Sequence, residues 1–239
     1  MNKYHREILA EIRKAAGAPM KTIGDFKPSR YFGTNKPFYH LKSAKGKEIA
    51  KKWIKKHPAL MVKEFVEVLN SLYQGKSHNE RTFGGRLLEY LPKLRKQIDP
   101  TNIDRWLTGA EGWAEVDSLC QSCFGTDEVL GNWLKWKKLL DGLVKDKDVQ
   151  KRRASLVLLV KTAGKSKEKK LAGYAFDKID KLKSERDVLI TKAISWLLRA
   201  LTYNHRKDVQ DYLAKNVGLL PAIAIRETKN KLETGKKQL

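Results

Sequence analysis

The sequence predicts an all-α protein, a right-handed superhelical solenoid of HEAT-like helical pairs with a basic concave face. Apolar residues recur at helical spacing from about residue 44 almost to the end, and no segment shows the sustained alternation of a strand. Glycines and prolines interrupt this pattern at short intervals, as at helix ends. Helix pairs recur at about 40 residues, a period typical of HEAT-like repeats, which stack into a curved solenoid. A compact helical bundle is the alternative.

The elements follow in order from these signals. A first helix is predicted over residues 2–16, ended by Gly17 and Pro19. Residues 18–43 are predicted to be irregular; a long loop this rich in aromatic residues is expected to be packed or functional. The remaining helices are predicted near 45–57, 59–73, 80–96, 101–110, 113–124, 127–144, 148–163, 167–182, 186–203, 206–216 and 219–233.

We expect these elements to form a single domain over residues 1–239. Within it, residues 1–43 supply the first helix and the aromatic loop. Residues 44–233 supply the helical repeats, and residues 234–239 form a basic tail.

The charge of the chain predicts a polyanionic partner. Fifty Lys and Arg residues against 27 Asp and Glu give a net charge of +23, which favours nucleic acid. A basic concave face would hold a DNA duplex. A membrane partner is not expected, because the basic residues are spread along the whole chain and the longest apolar run, Leu156 to Val160, is far too short to span a bilayer.

No cofactor or metal is expected. Cys120 and Cys123 form one C-x-x-C, which is half of a zinc site, and the histidines lack metal-like or nucleophile-like spacing. Three residues apart on a helix, the cysteines are expected to fill space in the core. The N-terminus carries charge throughout and shows no secretory signal, so a cytoplasmic, reduced protein is expected.

The stretch Trp113 to Phe124 is predicted to be an amphipathic helix. At about 100° per residue, Trp113 and Asp117 point in nearly the same direction, and Glu115 is expected to face water. Asp117 is therefore a carboxylate on the apolar side of its helix, where burial costs several kcal/mol unless the charge is paired or used. It is either an edge-of-core residue that caps or pairs with a neighbouring helix, or a catalytic carboxylate beside an aromatic wall.

Arg153 interrupts the apolar stripe of the predicted helix 148–163, whereas Lys151 and Arg152 point elsewhere. An arginine on a packing face can extend its guanidinium to the end of the repeat. There it can form a salt bridge between repeats or grip a phosphate. Both interpretations stay open.

Trp196 lies off the apolar stripe of the predicted helix 186–203, between Lys192 and Arg199 at helical spacing. A tryptophan on a basic edge can stack on a base or sugar, or it can pack against the next repeat. The remaining tryptophans show no such conflict and are predicted to be packing residues: Trp53, Trp106, Trp133 and Trp136.

Together these residues resemble the AlkD family of DNA alkylation repair glycosylases, which are built from HEAT-like repeats. Trp113-Ala-Glu-Val-Asp117 resembles the family's W-x-x-x-D, and Arg153-Ala154 resembles its R-A motif, with Arg152 the alternative register. The stretch from Ala193 to Arg199 is similar to A-I-G-W-x-L-R, with Ser195 in place of the glycine, a change expected to be harmless. Two matches are weaker. Arg30-Tyr31 resembles the segment with the family's cleft tyrosine, and Ile225-Arg226-Glu227 fits the family's last repeat.

The resemblance implies hydrolysis of the N-glycosidic bond of N3- or N7-alkylated purines in double-stranded DNA, by a monofunctional enzyme that we expect to be a monomer. Asp117 would be the catalytic carboxylate. The substrate-binding residues would be Trp113, Trp196, Arg153 and Tyr31, and the DNA-binding residues Arg152, Lys192 and Arg199. The alternatives are a non-enzymatic helical-repeat protein that binds DNA and, less in keeping with the charge, a scaffold for protein partners.

Overall fold

The computed structural model describes residues 1–20, 22, 24–121 and 124–237. It is all-α, as predicted, with no strand among the described residues. The chain divides into two compact units, Met1–Cys123 and Phe124–Leu239. Across the part of the chain described, no helix has the length and apolar character needed to cross a membrane.

The helices of the first unit are α1 Lys3–Ala16, α2 Pro28–Phe32, α3 Ser43–Lys56, α4 Val62–Tyr73, α5 His78–Tyr90, α6 Pro92–Arg95, α7 Asn102–Leu107 and α8 Gly112–Cys120. Those of the second unit are α9 Thr126–Gly131, α10 Trp133–Leu143, α11 Val149–Lys165, α12 Lys169–Leu182, α13 Val188–Leu201, α14 Arg206–Lys215 and α15 Ala222–Thr234.

Two of the predicted helices are each divided into two separate helices in the structure. The segment expected over 80–96 breaks at Leu91, because Pro92 starts a new helix and cannot continue the ladder of the previous one. The segment expected over 127–144 breaks at Asn132, whose backbone leaves the helical region (φ −135°, ψ 44°). The loop 18–43 also contains one short helix, α2, with Pro28 at its first position and Gly33 as its left-handed cap.

In the first unit, α5 lies at the centre and packs against α3, α4 and α8. Its start is fixed by a capping box, in which Ser77 and Glu80 satisfy each other's backbone N–H groups. The second carboxylate oxygen of Glu80 lies 2.9 Å from Nε2 of the buried His5, whose Nδ1 lies 2.9 Å from the Ser71 hydroxyl. This chain of polar contacts joins α1 to α4 and α5.

In the second unit, α11 is the central element and packs mainly against α13, which in turn packs against α15. Every residue from Arg153 to Val160 is buried, as expected for a helix covered on all sides. Asp148 caps the start of α11 and Asp187 the start of α13, each accepting a backbone N–H at 2.8 Å. These two helices carry the sequence-predicted residues of the second unit.

Most of the predicted packing residues are confirmed. Trp53, Trp106 and Trp136 are buried. Trp133 is half-buried and differs from them, because its ring meets Tyr174 edge-on and carries the ammonium group of Lys170 at 4.8 Å. Cys120 is buried as expected, whereas Cys123 and the last two residues of the predicted tail, 238–239, lie outside the described residues.

Candidate functional site

Helix α8 places Trp113 and Asp117 together at the edge of the first unit. Residues four apart lie one above the other on a helix, so the two side chains share one face. Both are half-buried, whereas Cys120 on the same face and Val116 and Leu119 on the adjoining face are buried. A carboxylate and an indole therefore lie side by side, as the spacing predicts.

The prediction that Glu115 faces water is wrong. Glu115 is 3% exposed, and its carboxylate lies 2.9 Å from Nε of Arg81 and 3.3 Å from Nζ of Lys36. Hydrophobic periodicity assigns Glu115 to solvent because it lies on the helix face opposite Trp113 and Asp117, but cations from α5 and from the aromatic loop cover that face. The sequence contains more Lys and Arg residues than Asp and Glu residues, so a cationic partner for a buried glutamate is available. This excess does not identify Arg81 and Lys36 as the partners.

The aromatic loop packs against Trp113 and forms a continuous aromatic wall, which consists of Phe26, Tyr31, Phe32 and Trp113. The Tyr31 and Trp113 rings meet edge-on with centroids 5.6 Å apart, and Phe32 lies 5.9 Å from Trp113. The indole N–H of Trp113 donates to the Tyr31 carbonyl at 2.7 Å. Tyr31 is 58% exposed, so the wall presents a ring to solvent next to Trp113.

Phe26 extends this wall beyond the residues that sequence motifs predicted. Its ring lies 5.6 Å from that of Tyr31 and 6.1 Å from that of Phe32, and it is exposed. The aromatic richness of residues 18–43 signalled such a cluster without identifying this member.

Gly112 permits the close approach of the loop to α8. Its φ is +67°, and a Cβ atom added there would lie 1.8 Å from the Phe32 carbonyl oxygen. Any residue with a side chain would therefore push the loop away from Trp113. Gly112 is the first residue of α8, so the aromatic loop contacts this helix at its N-terminus.

In the second unit, α13 carries Trp196 with Lys192 and Arg199 on neighbouring turns. Trp196 is half-buried and Lys192 is exposed. Arg199 is half-buried, with Nε 3.4 Å from Glu227 and 3.3 Å from the Ser195 hydroxyl. Burial lowers the pKa of Arg199, and the charge of Glu227 opposes that shift.

Ser195, which replaces the family's glycine, is completely buried, and its hydroxyl donates to Glu227 at 2.5 Å. This bond ties α13 to α15. The glutamate belongs to the Ile225-Arg226-Glu227 run. The serine therefore fits the interior because it has a carboxylate partner.

The two candidate arginines differ in their surroundings. Arg152 forms a bidentate ion pair with Glu185, at 2.8 and 3.1 Å, and donates through Nη1 to the Asp146 and Lys147 carbonyls. Arg153 is 4% exposed, and its Nη1 donates to the Leu189 carbonyl at 2.6 Å.

Arg153 and Trp196 are related through α13. Leu189 lies in the first turn of α13 and Trp196 follows seven residues later, so the two share a side of the helix about 10 Å apart along its axis. The structure thus brings together Tyr31, Trp113 and Asp117 in the first unit. In the second unit it places Arg153 against the helix that carries Trp196.

A family model described as DNA alkylation repair enzyme matches residues 12–232. A solved structure from Enterococcus faecalis, described as a predicted DNA alkylation repair enzyme, is 16% identical, with a TM-score of 0.71. The match covers 86% of this chain and 93% of that chain, and at this identity it shows a shared fold alone. No curated protein matches the chain.

Proposed function

Since the chain belongs to the family of DNA alkylation repair enzymes, we propose that it is a monofunctional DNA-alkylpurine glycosylase. Its substrate would be double-stranded DNA that carries N3- or N7-alkylated purines such as 3-methyladenine and 7-methylguanine. The proposal extends the family's role in DNA repair to one reaction, hydrolysis of the N-glycosidic bond. It also assigns that reaction to named side chains.

One observation carries the proposal: a half-buried carboxylate, Asp117, lies one helical turn from Trp113, whose ring meets the exposed Tyr31. The base of an N-alkylated purine nucleotide is cationic and flat, and aromatic faces attract such groups by about 0.5–2 kcal/mol each. The wall would hold the damaged nucleotide while the carboxylate acts on its sugar.

The chemistry needs little more than this. An N-alkylated purine already carries positive charge, so it leaves with the electron pair of the glycosidic bond and becomes neutral without a general acid. The deoxyribose then acquires cationic character, similar to that in glycoside hydrolysis. Asp117 would stabilise this charge, orient a water molecule toward the sugar carbon and accept its proton. Because no lysine is proposed as a nucleophile, base release without strand cleavage is expected.

The residues of the second unit would bind the rest of the substrate. Trp196 would supply a second indole. Arg153 is 4% exposed and donates to the Leu189 carbonyl, so it would fix the backbone beside the lesion only by turning its guanidinium toward the DNA. Lys192 is exposed and would contact a flanking phosphate. Arg152 and Arg199 each have a carboxylate partner, Glu185 and Glu227, so they would bind phosphate only by exchanging that partner.

The test is release of 7-methylguanine from methylated duplex DNA by the native protein and by Asp117→Asn. The native protein should release free base, and Asp117→Asn should be slower by about 100-fold or more, because it loses the charge that stabilises the transition state. The matched control is Glu89→Gln, which neutralises an exposed carboxylate of α5 and should leave the rate unchanged.

The alternative, a DNA-binding protein without catalysis, gives a different result. In that case native protein and Asp117→Asn bind methylated DNA equally and neither releases base. Equal release by both proteins would instead remove Asp117 from the reaction.

A further inference from the structure

We propose that Glu111 and Glu115 form an acidic clamp that positions the aromatic wall beside Asp117, a role that rests on the function proposed above. Neither carboxylate is placed against the substrate. Both hold the segment Thr34 to Lys36, which follows Tyr31 and Phe32 in the aromatic loop. They are therefore proposed as positioning residues.

Glu111 binds three consecutive residues of this segment. Its Oε2 accepts the Thr34 hydroxyl and the Asn35 backbone N–H, both at 2.9 Å, and its Oε1 lies 3.0 Å from Nζ of Lys36. Glu111 is also the residue before α8 begins, two residues ahead of Trp113. One carboxylate thus joins the loop to the first turn of the helix that carries Asp117.

Glu115 forms the inner part of the clamp. Its Oε2 accepts the backbone N–H of Glu111 at 3.0 Å and lies 3.3 Å from Nζ of Lys36 and 2.9 Å from Nε of Arg81. Its Oε1 lies 3.4 Å from Nδ1 of His78. Because the side chain is almost completely buried, these contacts fix it at the junction of the loop, α5 and α8.

The packed parts beside the clamp leave little tolerance. Phe32 stacks on the His78 ring with centroids 4.8 Å apart, and the Phe32 carbonyl approaches Gly112 too closely for any side chain there. His78 therefore contacts both Phe32 and Glu115. Loosening the segment 34–36 should therefore let Tyr31 move away from Trp113. A displacement of about 1 Å in a positioning element can reduce a reaction rate by about 100-fold.

A salt bridge that merely stabilises the fold would give a different pattern from a clamp. Loss of general stability affects unfolding everywhere, whereas loss of the clamp affects the loop and the rate of base release. The experiment must therefore read the loop directly, separately from activity.

The experiment compares Glu111→Ala, Glu111→Gln and the control Glu89→Ala, an exposed glutamate of α5. Glu111→Ala removes the acceptor, so hydrogen exchange in the peptide covering residues 31–36 should rise at least about tenfold. Release of 7-methylguanine at saturating DNA should fall by about 10- to 100-fold, with KM changed less than about twofold. Glu111→Gln keeps an oxygen that accepts from Thr34 and Asn35, and it should recover most of both losses.

Three results would overturn the proposal: unchanged exchange of residues 31–36 in Glu111→Ala, an equal effect of Glu89→Ala, or faster exchange without a slower reaction. Thr34→Val is a milder variant for the case that Glu111→Ala does not fold, and it should raise exchange of the same peptide. If the native protein releases no base, the glycosylase function fails, and the exchange results alone decide whether the clamp holds the loop.

Discussion

Substitution of Trp196 distinguishes directly between a packing role and a substrate-binding role for this residue of the second unit. It is half-buried on α13, beside the exposed Lys192 and one turn before Arg199. Such an indole either contributes to packing or binds the damaged nucleotide. The two roles differ in what the side chain stabilises, the folded chain or the bound substrate.

Trp196→Ala is predicted to lower the rate of base release by about 2- to 30-fold, the kinetic equivalent of a cation–π contact of about 0.5–2 kcal/mol. Affinity for undamaged DNA should stay nearly unchanged, because that affinity comes from phosphate contacts. The measurements are single-turnover release of 7-methylguanine and binding of an unmodified duplex. Trp136→Ala is the comparison, since Trp136 is buried in the core and its loss should lower the melting temperature. A similar melting loss for Trp196→Ala would assign it to packing.

Single residues also show what sequence patterns can and cannot predict. The four-residue spacing of Trp113 and Asp117 predicted their shared face, because helix geometry alone determines it. The same pattern placed Glu115 in water, because it lies on the helix face opposite Trp113 and Asp117. The partners of Glu115 come from α5 and from the loop, about 35 and 80 residues away in sequence. Contacts at that separation depend on tertiary structure and leave no local signal.

At the scale of elements, two helices of the second unit are joined by a polar cluster around Asp141. This residue of α10 accepts the Tyr174 hydroxyl at 2.9 Å and pairs with the ammonium groups of Lys178 and Lys137. Burial raises the pKa of Asp141, but these hydrogen bonds and charges outweigh burial and hold that pKa well below its ordinary value. The carboxylate is thus more stable as an anion in the folded chain than in the unfolded chain.

The sign of the pH dependence follows. Because the folded-state pKa of Asp141 is depressed, its contribution to stability is fully present above the unfolded pKa of about 3.9 and is lost as the pH falls below it. Asp141→Asn is predicted to lower the free energy of unfolding by about 3 kcal/mol at pH 7, since it leaves the buried Lys178 without its anion. Between pH 5 and pH 3 the native chain should lose more stability than the variant.

Denaturant unfolding at a series of pH values measures this difference. Glu233→Gln, which changes an exposed carboxylate of α15, should follow the native pH profile. Parallel profiles for the native chain and Asp141→Asn would show that the cluster does not contribute to acid sensitivity.

Element boundaries were predictable where a strong local signal stands alone. The helix predicted from residue 148 begins within one residue of that position, after its cap Asp148, whereas the helix predicted from residue 186 begins two residues later, after its cap Asp187. The break at Asn132 directly follows Gly131, the last residue of α9. The periodicity of 127–144 runs through this glycine, so the predicted helix continued past a residue that often ends one. The helix α2 is only five residues long, too short to produce a periodic pattern.

At the scale of the whole molecule, charge and family membership were the most predictable properties. The resemblance to the family of DNA alkylation repair enzymes rested on a few local motifs and is confirmed by a match over residues 12–232. The single-domain organisation stays a prediction beside the division into two compact units. The net charge of +23 follows from the sequence alone, and it leads to a prediction about the salt dependence of DNA binding.

Binding to duplex DNA is predicted to weaken steeply with salt, because each phosphate neutralised by a lysine or arginine releases condensed counterions. The logarithm of the affinity should fall with the logarithm of the salt concentration by about 0.9 per phosphate contact, so six contacts would cost about 1000-fold between 50 and 200 mM salt. Asp117→Asn should show the same slope, since the substitution removes no phosphate contact. The rate of base release from saturated complexes should depend much less on salt, because salt acts on association and not on the bond that breaks.

A flat affinity profile would contradict a DNA partner and favour a protein scaffold. A steep profile with no base release would leave a DNA-binding protein that does not cut the glycosidic bond.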